Sequence, residues 1–450
     1  MRISLIVRLI LFVFTIPASF VFWQLFFGSK IDWKFRYGIQ SSTRNDTIFD
    51  RKRRVGTELE ITSDQGSRPK VNLHDLRPFQ GDIPSPKWLN AYVEFHRNAQ
   101  RLNSEGKDVE VKYLLWFCYD ICGGLGDRMR GVVTMLYLAI ATDRVLLLQQ
   151  KNPVALNVSL IPAKINWDFE QWNLPEHIRE NWQVLSAIDS SYETLQFYTS
   201  GAYEPERYLS IASNYPGWNA IVKDPKWTHK FPGIDELAKE SGGMHVDFLF
   251  PIGTKTLFHF SSRLETYIVG LRKYLKFLEQ EYIGIHWRAG GVWADQTRHD
   301  LKYIDKVPEC VKQMNLAISN NRGTKCPPIY ICSDQSRAKS LLLNKLKLLC
   351  GNESAVYASP FIPFHIDRSD AGTQSVAIQK ALQTWADYYL LHQSSCVMVS
   401  RSGFSEIAAL SSTNPFNGSR CWTTFDDCTA DGILTHILNP SKEGSVAAKL

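Results

Sequence analysis

The chain has 450 residues, of which 44% are hydrophobic and 21% are charged, and its formal net charge is +6. This is an ordinary globular composition, and the length is sufficient for two domains with full cores. The modest positive charge favours an anionic ligand. We expect no nucleic-acid partner, because the sequence has neither zinc-finger spacing nor a basic helix interleaved with aromatic residues.

The amino terminus predicts a membrane anchor. Residues 9–27 carry no charge, and a helix of that length just crosses a bilayer, whereas the apolar core of a signal peptide is normally shorter. We predict a cytoplasmic tail at residues 1–8, a transmembrane signal-anchor at residues 9–27 and a polar stem at residues 28–108. Cleavage as a signal peptide near Ala18 and Ser19 is the alternative. The basic run at residues 51–54 is either a solvated charge cluster or a processing site.

A first α/β domain is predicted at residues 109–260. Its strand YLLWFCYD is followed by a glycine-rich turn that contains Gly124, Gly126 and Asp127. The turn opens an apolar helix leading to the strand VLLL, which is typical of a βαβ unit. It has neither the Lys-Ser/Thr of a P-loop nor the glycine spacing of a dinucleotide site. The Trp- and Pro-rich residues 166–227 are predicted to be long loops.

A second α/β domain is predicted at residues 261–450. Residues 283–291, IGIHWRAGG, indicate a buried strand that delivers His286 and Arg288 into a glycine-rich loop. A guanidinium there is well placed to bind a phosphate, because its planar fork of donors stays charged. The alternative is an ordinary strand that ends in a surface arginine. The strand IYICSD, ending at Asp334, follows.

A serine turn lies further along, in residues 397–410, VMVSRSGFSEIAAL. An apolar strand there gives way to a Ser/Gly turn and then to a helix, which Ser402 or Ser405 can cap. The free amides and positive dipole end of such a helix would suit an anion. A plain strand-turn-helix corner is the alternative.

Taken together, the glycine-rich turn, the arginine strand IGIHWRAGG and the serine turn resemble the fucosyltransferase superfamily of the GT-B architecture. That superfamily contains α1,2-, α1,6- and protein O-fucosyltransferases. The resemblance implies two Rossmann-like domains that face a cleft, with GDP-fucose bound between them. It implies that Arg288 binds the β-phosphate beside His286. It also implies that the serine turn contacts the phosphates through Ser402, Gly403, Phe404 and Ser405. The chain departs from the α1,2 and α1,6 members after Arg288, where it has Ala289 and Gly290 in place of a second arginine.

The resemblance assigns roles to three carboxylates as well. Asp387, in WADYYLL, would accept hydrogen bonds from guanine, although it could instead lie on an exposed helix face. Asp334 would lie near the donor, as would Gly124 and Gly126. Asp127 stands where related enzymes often have an active-site asparagine and is the candidate general base, with a helix-capping role as the alternative.

The implied reaction is an inverting transfer of fucose from GDP-fucose to a glycan or protein hydroxyl. The chain has no Asp-x-Asp for a divalent ion, so we expect no metal or other cofactor, and Arg288 and helix ends would supply the positive charge. We expect a single-pass type II protein of the Golgi membrane with a luminal catalytic region. A secreted or endoplasmic reticulum protein is the alternative. Functional alternatives are a non-catalytic, membrane-anchored carbohydrate-binding or scaffold protein, and a transferase that uses another sugar nucleotide.

The cysteines begin after the stem, and there are nine. In an oxidising lumen several should pair, and the odd count leaves at least one free. Cys118 with Cys122, and Cys421 with Cys428, are the candidates from sequence spacing. Four Asn-x-Ser/Thr sequons would be glycosylation acceptors in that compartment; their asparagines are Asn45, Asn157, Asn352 and Asn417.

Overall fold

A computed structural model describes residues 85–118, 122–174, 183–187, 206–240, 248–275, 281–290, 300–319, 326–351, 355–361, 372–400, 402–412, 421–424 and 428. The predicted anchor and most of the predicted stem lie outside these residues. Among the described helices, none combines the length and apolar character that a membrane crossing requires.

The amino-terminal half is an α/β layer built on a parallel sheet. Its elements, in chain order, are α1 (Lys87–Ser104), β1 (Lys112–Cys118), α2 (Leu125–Ala141), β2 (Arg144–Gln150), β3 (Leu160–Pro162), β4 (Gln183–Ala187), β5 (Tyr208–Ser213), α3 (Trp218–Lys223), α4 (Ile234–Glu240), α5 (Leu249–Leu257) and β6 (Phe258–Phe260). The sheet order is β2-β1-β5-β4, and all three pairings are parallel. All seven residues of β2 are buried, as expected of a strand in a parallel sheet covered on both faces. A short antiparallel pair, β3 with β6, lies apart from this sheet.

Two features of this half differ from the sequence prediction. Helix α1 lies in the segment predicted as stem, yet Trp88 and Tyr92 are buried, and the Tyr92 hydroxyl donates to the carbonyl of Arg144 in β2. The folded region therefore begins before residue 109. The stretch predicted as long loops contains β4, β5 and α3. The apolar core of β5 is only a few residues long, so its polar surroundings dominate the local composition.

The carboxyl-terminal half is a second α/β layer. Its elements are α6 (Ser262–Leu275), β7 (Ile283–Trp287), α7 (Val307–Ser319), β8 (Ile329–Ser333), α8 (Ser336–Cys350), β9 (Val356–Ala358), α9 (Gln374–Gln393), β10 (Cys396–Val399), α10 (Gly403–Ser412) and β11 (Cys421–Thr424). The five strands are all parallel, in the order β11-β10-β7-β8-β9. The fold is thus α/β with two parallel sheets, and the strands predicted from IGIHWR, IYICSD and VMVS are confirmed.

Because the strands are parallel, their carboxyl ends share one edge of each sheet, where ligands bind in open α/β folds. Arg288, Asp334, Ser359 and Ser400 each follow a strand of the second sheet directly or within one residue, and all therefore lie at that edge. Helices α2 and α10, which start at the corresponding edges of the two sheets, pack against each other. The glycine-rich turn and the serine turn are thereby brought together.

Disulfides fix parts of both layers. Cys118–Cys122 is confirmed and closes a short loop before the glycine-rich turn. Cys428 pairs with Cys310, not with Cys421 as sequence spacing suggested, because the fold brings together residues 118 positions apart. The other described bridge with both partners assigned is Cys326–Cys350, Cys396 is also disulfide-bonded, and Cys332 is a free buried thiol.

Candidate functional site

The arginine loop after β7 is folded around the carboxylate of Asp334. Arg288 donates from Nη1 to Asp334 Oδ2 at 2.8 Å, and the amides of Ala289 and Gly290 donate to the same carboxylate at 2.8 and 3.0 Å. Gly290 has a φ of +67°, a conformation that favours glycine. The side chains of Arg288 and Asp334 are only 12% and 6% exposed. A charge-assisted pair of this kind holds the guanidinium in one orientation.

Asp334 was predicted to lie near the bound sugar nucleotide, and the structure shows which groups of the protein it contacts. Its oxygens are occupied by a guanidinium and two backbone amides of the arginine loop. Since a carboxylate repels phosphate, its geometry suits organising Arg288 better than binding an anion directly. The spacing from β7 to β8 in sequence gave no indication of this pairing, which depends on the two strands being adjacent.

His286 points to the opposite face of β7 from its neighbour Trp287. It is 5% exposed, its Nδ1 lies 2.9 Å from Ser400 Oγ, and its ring centroid is 5.1 Å from that of Phe404. This hydrogen bond fixes the orientation of the imidazole ring. Which of the two groups donates depends on which ring nitrogen of His286 carries the proton. The predicted His286 and Phe404 are therefore brought together, although they are far apart in sequence.

The serine turn is held by its own hydrogen bonds. The Ser402 amide donates to Ser400 O at 2.7 Å, and Ser405 Oγ lies 3.2 Å from both Ser400 O and Ser402 O while accepting from the Ser400 amide. Ser405 is fully buried. Its hydroxyl is therefore engaged inside the turn, and its predicted contact with the phosphates of the sugar nucleotide stays a prediction. Ser402, Gly403 and Phe404 remain partly exposed at the start of α10.

The glycine-rich turn begins α2. The Gly124 amide donates to Asp127 Oδ2 at 3.1 Å, so Asp127 caps the helix, as the alternative assignment predicted. Asp127 also lies 3.5 Å from Arg130 Nη1, and its side chain is 40% exposed. Gly126 was predicted to adjoin the donor. In the structure the backbone of Gly403 occupies the space that a side chain at Gly126 would fill, and a methyl group there would lie only 2.1 Å from the Gly403 carbonyl carbon.

Asp387 lies in α9 beneath the carboxyl edge of β8 and β9 and is only partly exposed, not on an open helix face. Tyr330 donates its hydroxyl to Oδ1, and Ser359 Oγ lies 2.9 and 3.1 Å from the two carboxylate oxygens. Burial raises the pKa of Asp387 from 3.8 to about 6, while the hydrogen bonds from Tyr330 and Ser359 and the charge of Lys339 oppose that rise. The carboxylate is thus held in a fixed position near the sheet edge.

Three charged residues near the site were not predicted. Arg128 is 2% exposed and donates to the carbonyls of Gly123 and Asn152, which joins the glycine-rich turn to the segment after β2. Arg130 forms an ion pair with Glu406 of α10. The i,i+3 spacing of Asp127 and Arg130 could have indicated one contact, but the partner on α10 depends on the tertiary fold.

The described residues contain no group of three or more His, Cys, Asp or Glu side chains arranged to hold a metal ion. The positive groups at the site include the guanidinium of Arg288, the amides at the start of α10 and the guanidinium of Arg130.

No protein-family model matches the chain, and no curated protein matches it in sequence. The chain is similar to several solved structures. A mutant of Arabidopsis thaliana FUT1 in complex with GDP has a TM-score of 0.48 and 13% identity, with 72% of this chain and 76% of that chain covered. The Bradyrhizobium fucosyltransferase NodZ has a TM-score of 0.37 and 14% identity, with 66% and 93% covered. POFUT1 in complex with GDP has a TM-score of 0.34 and 12% identity, with 66% and 94% covered. All three sequence identities are below 15%, and all three TM-scores are below 0.5.

Proposed function

We propose that the protein is a glycosyltransferase that transfers fucose from GDP-fucose to a hydroxyl of a glycan or protein. The observation that carries this proposal is the convergence, at one edge of a parallel sheet, of the Arg288–Asp334 pair, the His286–Ser400 pair and the start of α10. Such an edge, with a fixed arginine and a helix amino terminus, has the chemistry of a diphosphate site.

Arg288 would bind the β-phosphate of the donor. Its orientation is set by Asp334, and the amides of Gly403 and Phe404 at the start of α10 lie at the neighbouring strand end. Negative charge on the β-phosphate increases as the bond to the sugar breaks, so donors fixed in advance stabilise the transition state more than the ground state. The site therefore suits departure of a nucleoside diphosphate.

Asp387 would read the base of the nucleotide. A carboxylate accepts hydrogen bonds from the adjacent N–H donors of guanine, whereas adenine presents only one such donor beside a ring nitrogen that accepts. Tyr330 and Ser359 already fix the carboxylate, which reduces the ordering needed on binding. This assignment makes GDP the preferred nucleotide among the common diphosphates.

In the transfer step, the acceptor hydroxyl oxygen attacks the anomeric carbon of fucose as the bond to the β-phosphate oxygen breaks. GDP leaves with the electron pair, the configuration at the carbon is inverted, and the hydroxyl proton passes to a base or to water. Asp127 is the candidate base because it lies at the junction of the two turns and is 40% exposed. Its contacts with Gly124 and Arg130 must loosen for it to serve.

We propose that the enzyme works in the lumen of the Golgi, anchored by residues 9–27 as a type II protein and using no metal ion. The disulfides support an oxidising compartment, since such bonds are rare in the cytosol. Release of the region beyond the anchor by cleavage would give a secreted form of the same enzyme.

The first test is a thermal-shift series on the purified full-length chain with GDP, UDP, ADP and CDP. Selective binding of GDP at a hundred times its Kd would stabilise the protein by about 2.7 kcal/mol, whereas the other nucleotides should have little effect. Hydrolysis of GDP-fucose, measured with and without EDTA, then tests turnover and metal independence. Equal stabilisation by all four nucleotides would contradict the assignment of the guanine site.

Arg288→Ala should lower the rate of donor cleavage by roughly a hundredfold or more, because the charge on the leaving group loses its main counter-ion. Arg97→Ala is the matched control, since Arg97 is 65% exposed on α1 and pairs with the exposed Glu94. We expect the control to be as active as the wild type. An Arg288→Ala protein that retains full turnover would remove this residue from the site.

A non-catalytic carbohydrate-binding or scaffold protein is the second candidate, favoured by one observation. Asp127 is already bonded to Gly124 and lies near Arg130, so the candidate base is engaged. Selective GDP binding without any cleavage of GDP-fucose in the presence of acceptors would favour this candidate.

A further inference from the structure

Helices α2 and α10 meet at a contact between two glycines. A methyl group on Gly126 would lie 2.1 Å from the carbonyl carbon of Gly403 and 2.5 Å from the Phe404 amide nitrogen. Atoms not bonded to each other do not approach so closely, so the contact requires glycine at position 126. The first turns of the two helices are therefore in direct backbone contact.

An ion pair stands beside this contact. Arg130 of α2 pairs with Glu406 of α10, and their side chains are 19% and 7% exposed. A methyl group on Gly403 would lie 2.9 Å from Asp127 Oδ1 and 3.2 Å from Arg130 Nη1. Asp127 and Arg130 of α2 thus lie against the start of α10.

The spacing along each helix places contact and ion pair on the same face. Arg130 follows Gly126 by four residues, and Glu406 follows Gly403 by three, and residues at these separations are neighbours on a helix surface. The glycines set how closely the helices approach. A glycine contact alone restricts the sliding and rotation of one helix against the other only weakly. A guanidinium–carboxylate pair restricts both more, because its hydrogen bonds have a preferred direction.

We propose that Arg130 is a positioning residue of the nucleotide-sugar site. Through Glu406 it fixes the start of α10, and with it the amides of Gly403 and Phe404, relative to the glycine-rich turn. The proposal rests on the proposed function, because it takes the start of α10 to bind the donor diphosphate. Arg130 itself need not touch the donor.

The test uses the full-length chain and separates positioning from stability. Arg130→Met alone leaves Glu406 buried without its partner and should destabilise the fold. The double variant Arg130→Met/Glu406→Leu replaces the pair by apolar side chains, a change that often restores stability in proteins with buried ion pairs. Arg130→Lys keeps a charge but loses the planar fork. Arg97→Met/Glu94→Leu is the matched control on an exposed pair of α1. For each protein, the denaturation midpoint, the Kd for GDP, and kcat and KM for GDP-fucose cleavage are measured.

Positioning predicts that the double variant is about as stable as the wild type yet binds GDP more weakly and cleaves GDP-fucose roughly ten- to a hundredfold more slowly, because a displacement near 1 Å is enough for such a loss of rate. Arg130→Lys should recover part of the affinity, and the control should bind as the wild type does. A double variant that regains stability and GDP affinity together would overturn the proposal and leave the pair a packing element. Failure of the wild type itself to bind GDP would refute the proposed function, and the positioning role with it, before any variant is compared.

Discussion

Gly126→Ala is the substitution for which the structure gives the sharpest expectation. The added methyl carbon would lie 2.1 Å from the carbonyl carbon and 2.3 Å from the oxygen of Gly403. Favourable contacts between carbon atoms begin near 3.5 Å, so α10 must move by about 1 Å or more. Overpacking of this kind typically costs about 1–3 kcal/mol. Removal of glycine from a helix returns less than about 1 kcal/mol, and we expect a net loss of stability.

The same substitution at Gly270 provides the control. Gly270 lies within α6, and a methyl group there would have no atom within 4 Å in the described structure. Gly270→Ala should therefore stabilise the protein by about 0.5–1 kcal/mol, chiefly by restricting the unfolded chain. The same Gly→Ala change is thus expected to lower the free energy of unfolding at Gly126 and to raise it at Gly270.

Urea denaturation measures both stabilities, and GDP binding reports the position of the serine turn. Gly126→Ala should weaken GDP binding and lower the rate of GDP-fucose cleavage by up to about a hundredfold, because the start of α10 is displaced. Gly270→Ala should leave binding unchanged. A Gly126→Ala protein as stable as Gly270→Ala, with wild-type affinity for GDP, would show that the helices do not cross at these glycines.

Two further predictions concern carboxylates. Asp334→Asn should lower the free energy of unfolding by about 3 kcal/mol and abolish GDP binding, because it breaks a buried ion pair and frees Arg288 to turn. An Asp334→Asn protein that still binds GDP and remains active would contradict this. In the wild type, GDP affinity should fall as the pH drops through about 6, where Asp387 takes up a proton, whereas Asp387→Asn should bind weakly at every pH without that inflection. Because burial raises this pKa from 3.8, the native state holds the proton more tightly than the unfolded chain. Stability relative to Asp387→Asn should therefore decline by up to about 3 kcal/mol as the pH rises from about 4 to 6. A difference independent of pH would exclude the shift.

The positions of the main strands were predictable because each buried parallel strand is a continuous apolar run. IGIHW, IYICS and CVMV are short apolar runs that end at the polar residues Arg288, Asp334 and Ser400, and all three are strands. The glycine-rich turn was likewise visible, since glycines before an apolar helical pattern mark a helix start. Helix α1 was missed because it is amphipathic in an otherwise polar region.

Sequence motifs proposed the candidate site residues one by one, whereas the contacts between them came from the structure. His286, Arg288 and the serine turn follow from local motifs. The pairing of Asp334 with Arg288, the burial of Ser405 and the bridge from Cys310 to Cys428 join residues far apart in sequence or depend on which side of a turn faces the core. Local periodicity contains no information on those choices.

By itself, the sequence determined which segments become strands and helices and which residue types stand at their ends, because these depend on burial pattern and turn chemistry over a few residues. The tertiary structure alone decided that β7 lies between β10 and β8 and that Gly126 meets Gly403, so that two turns far apart in sequence are in contact. Such choices arise from many weak contacts summed over both layers, and no short stretch of the chain contains that sum.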